Sequence, residues 1–100
     1  MESRKLSKIR QNMERLRQQG GVKSIDLQSL ARTLGREQHK RGKEPTWVNH
    51  RFPDLRPLSI PSHGSRDLNR FTAGGILDQL ELDLERWEEE IGPEENDEDN

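Results

Sequence analysis

The stretch Gly42 to His63, GKEPTWVNHRFPDLRPLSIPSH, limits what this chain can become. It carries four of the five prolines, and proline lacks the N–H that a strand ladder uses, so any strand here is short. Thr46, Trp47 and Val48 are strong strand formers, and Leu58-Ser59-Ile60 alternates as a half-buried strand does. Pro53-Asp54 between them is turn chemistry, and Gly42-Lys43 makes a turn ahead of them. Arg36 to Arg41, REQHKR, is polar without clear alternation and fits a solvated edge strand. Three short antiparallel strands joined by short loops are therefore predicted.

Helical patterns lie on both sides. In Ser3 to Gln18, Leu6, Ile9, Met13 and Leu16 form one narrow apolar face, and Gly20-Gly21 ends the pattern. In Ser24 to Leu34, Leu27, Leu30, Ala31 and Leu34 repeat at helical spacing. Ser24 reads as the N-cap, Asp26 stands in the first turn where the helix dipole favours it, and Gly35 follows as C′. After the strands, Ser65-Arg66-Asp67-Leu68 reads as one helical turn. From Thr72 onward Ile76, Leu77, Leu80, Leu84, Trp87 and Ile91 line one side, until Gly92-Pro93 stops the helix. Gly74-Gly75 weakens its start.

A stripe of four apolar residues cannot hold the first helix alone. The last helix offers a matching stripe and the opposite charge. Met1 to Gln18 has six basic and two acidic residues; Ala73 to Gly92 has one basic and seven acidic. The two helices are expected to pack together.

Composition bounds the rest. One hundred residues make one domain at most, and 27% apolar content with a mean hydropathy of −1.19 allows only a thin core. There is no cysteine, hence no disulfide, and no apolar run approaches the roughly 20 residues of a membrane helix. MESRKLSKIR lacks the apolar segment of a signal peptide, so a cytoplasmic protein without membrane attachment is expected. The net charge of −2 hides a split: Met1 to Arg70 has 16 basic and 7 acidic residues (+9), whereas Phe71 to Asn100 has 1 and 12 (−11). The basic part suits a polyanion such as RNA; the alternative is a merely solvated surface. EENDEDN, from Glu94, is compositionally disordered, and with Glu88 to Glu90 it is a candidate to compete for the basic surface.

With helix, three strands and helix in order, Asp26 to Leu80 resembles the HicA-type mRNA interferase toxins. That family has a Leu-Gly closing its first helix, as Leu34-Gly35 does here, then a Gly-Lys, matched by Gly42-Lys43. A strand ending in Pro-x-His is matched by Pro61-Ser62-His63, and a closing helix with Thr and Ile-Leu-x-Gln by Thr72 and Ile76-Leu77-Asp78-Gln79. The resemblance implies an α+β fold, a small double-stranded-RNA-binding-domain-like α-β-β-β-α unit over residues 22–92. An added N-terminal helix over 1–21, a longer C-terminal helix and an acidic tail over 93–100 complete it. It also implies the toxin role in a type II toxin–antitoxin pair, with mRNA as target, endoribonuclease activity and a HicB-type antitoxin as partner. One departure stands out. Where the family reads Gly-Ser-His, with His catalytic, this chain reads Glu44-Pro45-Thr46. A threonine hydroxyl is a poor general base near neutral pH. A catalytically inactive RNA-binding or protein-interaction module of the same fold is therefore the alternative.

RNA cleavage needs a base for the ribose 2′-hydroxyl and a cation for the phosphorane charge. His50 lies four positions beyond Thr46, on the same strand face, and is the candidate substitute base; the competing reading is a solvated strand-end histidine. His63 reads as a packing residue and His39 as surface. Histidine spacings of 11 and 13 match no metal motif, no Gly-rich phosphate loop is present, and no cofactor is implied. Arg36, Lys40, Arg41 and Lys43 are the phosphate-contact candidates. Trp47 either stacks on an unpaired base or covers a thin core.

Overall fold

The computed structural model describes residues 1–41, 44–62 and 66–91. The order is α1 (Ser3–Gln18), α2 (Ser24–Thr33), β1 (Arg36–Arg41), β2 (Glu44–Asn49), β3 (Leu58–Ser59) and α3 (Arg70–Ile91). The three strands form one antiparallel sheet in the order β1-β2-β3. Two residues separate β1 from β2, so the ladder starts at Arg41↔Glu44 and ends at Arg36↔Asn49. On the other edge Trp47 pairs with Leu58 and Thr46 with Ser59. Pro57 and Pro61 bracket β3 and hold it to two residues, since neither can donate to a ladder. The expected α+β class with three short antiparallel strands is what forms.

The helices cover one face of this sheet. Leu6, Ile9, Met13 and Leu16, the whole stripe of α1, are buried. They join Leu27, Leu30 and Ala31 of α2, Trp47 and Leu58 of the sheet, and Ile76, Leu77, Leu80 and Leu84 of α3 in one hydrophobic cluster. The expected α1–α3 pairing is thus present, and its flanks are ionic. Arg10 makes two hydrogen bonds to Glu88, at 3.0 and 2.7 Å, and Arg17 reaches Asp78 at 2.9 Å and Glu81 at 2.7 Å. These pairs are partly exposed, so burial of the two stripes dominates the energetics. Among the described residues no helix is long and apolar enough to cross a membrane.

Two local expectations are corrected. Ser24 is the first residue of α2, not its cap; Lys23 holds that position. The Ser24 hydroxyl is buried and donates to the Pro61 carbonyl, because a buried hydroxyl must find an acceptor. The Asp26 carboxylate accepts the Lys23 N–H at 3.2 Å instead. Asp67 and Leu68 are not helical either: Leu68 N–H donates to the Val22 carbonyl at 2.8 Å, and Lys23 and Asp67 form an antiparallel bridge. Pairing with a distant segment overrides the weak local helix signal there. Arg66 is a bend, and Ser65 lies outside the described residues. Asn69 then caps α3, its side-chain oxygen accepting the Phe71 N–H at 2.8 Å, so that helix begins two residues ahead of Thr72.

Gly35 sets the corner between α2 and β1. Its φ of +101° is disfavoured for any residue with a side chain, and a Cβ there would meet Asn49 Oδ1 at 3.2 Å. Gly35→Ala is expected to destabilise the domain by at least about 1 kcal/mol, because backbone strain and crowding act together. Urea unfolding monitored by circular dichroism reads the change.

Candidate functional site

The two faces of the sheet carry different chemistry. On the inner face, β1 begins with Arg36, which is 2% exposed. Its guanidinium clasps Asp83 of α3 through Nε (2.7 Å) and Nη2 (2.8 Å), while Nη1 donates to the carbonyls of Trp47 (2.8 Å) and Arg56 (2.9 Å). Asn49, Arg36's partner across the ladder, donates to Asp83 Oδ2 at 2.9 Å and to the Leu34 carbonyl at 3.1 Å. Its own oxygen accepts the Arg51 and Phe52 N–H groups. The network ties α2, β1, β2, the loop after β2 and α3 to one buried carboxylate.

Two expected RNA contacts are corrected by this geometry. Arg36 is a buried structural cation, and four of its hydrogen bonds are to the protein's own oxygens. Trp47 is 1% exposed and covers the core, so it presents no face for a base to stack on. Both follow from register: Trp47 and Asn49 alternate onto the helix-covered face, and Asn49 carries its ladder partner Arg36 with it.

The outer face holds the titratable groups. Glu37 and His39 alternate outward on β1, and His39 stands directly opposite Thr46. Just beyond β2, His50 swings back along this face. Its Nε2 lies 3.2 Å from His39 Nε2 and 3.2 Å from Glu37 Oε2, with the two imidazole centroids 5.2 Å apart. The backbone of His50 is anchored by its N–H donating to the Gly35 carbonyl at 3.3 Å. Of the candidate catalytic residues, His50 and Thr46 therefore share one solvated face, joined by His39 and Glu37. Such a group can accept and relay protons, and the carboxylate orients an imidazole.

The sequence reading missed His39 and Glu37. The register pairs His39 with Thr46, which places His39 beside the candidate site. The hydrophobic pattern carries no such signal, because none of these residues is apolar.

Of the remaining phosphate candidates, Lys40 and Arg41 occupy the far end of β1, opposite Pro45 and Glu44, with side chains outside the described residues. Lys43, His63 and the acidic segment Glu94 to Asp99 also lie outside them. Glu88 and Glu90 of α3 engage Arg10 and Arg51, so part of the positive charge of the body is matched by α3 itself. Arg17 feels opposing effects: burial lowers its pKa, but the hydrogen bonds it donates to Asp78 and Glu81 raise it overall and hold the charge in place.

No known protein family, curated protein or solved structure matches this chain.

Proposed function

We propose that the chain is a HicA-like RNA-binding protein, the toxin component of a type II toxin–antitoxin pair, with a double-stranded-RNA-binding-domain-like core spanning α2 to α3. The observation that carries the reading is the outer sheet face: Thr46, at the position of the family's catalytic histidine, stands opposite His39 on the face that also holds His50. The Leu34-Gly35 corner and the helix–three-strand–helix order support the same assignment. In this reading the basic end of the β1–β2 hairpin, Lys40, Arg41 and Lys43, meets RNA phosphates in the cytoplasm. His50 supplies the base for mRNA cleavage, and a HicB-type protein neutralises the activity.

RNA affinity is expected to fall steeply with salt. Replacing Lys40, Arg41 and Lys43 together with Ala should flatten the log–log slope by about 2, at about 0.7 per phosphate contact with single strands. Incubation of the purified protein with RNA, comparing His50→Ala and Thr46→Ala, reads cleavage directly. His50→Ala should abolish cleavage, and expression of the parent chain should slow growth unless a HicB-type partner is co-expressed. Absence of RNA affinity at low salt would overturn the reading.

A second reading is favoured by Thr46 itself, which replaces the family's histidine with a group that does not titrate near neutrality. Salt-dependent RNA affinity without cleavage assigns the chain to this inactive binding module.

A further inference from the structure

The outer-face trio has a geometry that RNA cleavage does not explain. His50 Nε2 lies 3.2 Å from both His39 Nε2 and Glu37 Oε2. A neutral ring nitrogen either donates one hydrogen or accepts one, so His50 Nε2 cannot make a full hydrogen bond to both neighbours. With both imidazoles in the Nδ1–H tautomer, three lone pairs face one another, and a cation placed between them satisfies all three.

We propose that Glu37, His39 and His50 form a binding site for a divalent transition-metal ion, zinc above all. Two imidazoles and a carboxylate are the donor set borderline-soft ions take. With metal–ligand bonds of 2.0 to 2.1 Å, the edge of a tetrahedron is about 3.3 Å, close to both of the short separations here. The three donor atoms already lie within 4.8 Å of one another. Glu37 is 72% exposed and can swing to close the remaining edge without disturbing the core. The two histidines are brought together by different elements, β1 and the chain leaving β2, and the sheet and the His50 N–H to Gly35 bond hold those backbones in place. Three protein ligands leave the fourth tetrahedral position to solvent, the arrangement of open rather than structural zinc sites.

The proposal is independent of RNA binding and is tested without RNA. Zinc chloride is titrated into the purified full-length protein by calorimetry near neutral pH, with His39→Ala, His50→Ala and Glu37→Gln alongside. One zinc per chain is expected. Each histidine variant should weaken binding at least about 10-fold, since even loss of groups that merely orient ligands costs that much. These groups stand on the solvated face, so the variants should keep the parent's circular dichroism and melting temperature in the absence of metal. Acidification should release the metal as the imidazoles take up protons. Cobalt(II) provides a second readout: a tetrahedral site gives an intense visible spectrum that His39→Ala and His50→Ala both lose. No stoichiometric zinc binding, or equal affinity in parent and histidine variants, overturns the proposal.

Discussion

Asp83→Ala is expected to cost about 3–5 kcal/mol of stability, the range for removing one partner of a buried ion pair. Asp83 is fully buried and receives three hydrogen bonds, two from Arg36 and one from Asn49. Without it the Arg36 charge stays in the core with no counter-ion, because the carbonyls of Trp47 and Arg56 supply only dipoles. Small domains hold only about 5–15 kcal/mol in total, so a change of this size threatens folding at physiological temperature. The double variant Arg36→Met with Asp83→Leu should recover most of the loss, since it removes both charges and leaves packing volume. Urea unfolding of the single and double variants checks this. A single variant within about 1 kcal/mol of the parent would show that Arg36 escapes to water and that the network is not the tie between sheet and α3.

Trp47→Ala is expected to cost about 3–5 kcal/mol, the usual range for removing a large aromatic from a core. Trp47 is 1% exposed, belongs to the main cluster, and lies under the Arg32 guanidinium at 5.0 Å from the ring centre. Trp47→Phe should behave differently. The indole Nε1 is buried without a hydrogen-bond partner among the described residues, and an unsatisfied buried donor costs about 1–3 kcal/mol. Phenylalanine removes that donor, which offsets part of the lost volume, so its net effect should be much smaller than that of alanine. The comparison also separates core from contact. Under the proposed RNA binding, a Trp47 that acts only in packing lets the folded Phe variant bind RNA as the parent does, whereas a stacking role would weaken binding. Chemical denaturation and an RNA titration on the same preparation read both quantities.

Much of the framework was legible because periodicity reports burial. The 3, 4, 3 spacing of Leu6, Ile9, Met13 and Leu16 describes one helix face, and that face is the buried one. The prolines around Leu58-Ser59 announced a short strand, and Leu34-Gly35 a helix end with a left-handed residue. The polar groups were harder to place. Arg36 opens a run that reads as solvated edge strand, yet its first residue turns inward. Its partner Asp83 sits three positions after Leu80 and four before Trp87, on the apolar side of α3, and that misplaced acid was the available hint. Neither residue alone reveals the pair, because 47 positions separate them.

The same division holds at the outer face. The amino-acid sequence determined which residues could do chemistry, namely three histidines, a strand threonine and a cluster of cations, and it determined the elements that carry them. Hydrophobic patterning acts locally, within a turn of helix or a pair of strand residues, so it specifies elements and their buried sides. Which polar groups meet was decided by the tertiary structure. The β1–β2 register put His39 opposite Thr46, and the bend after Asn49 brought His50 onto Glu37 and His39. The packing of α3 under the sheet turned Arg36 from an expected surface cation into a buried one paired with Asp83. Polar pairing depends on distance and desolvation between segments far apart in the chain, and those are properties of the assembled fold.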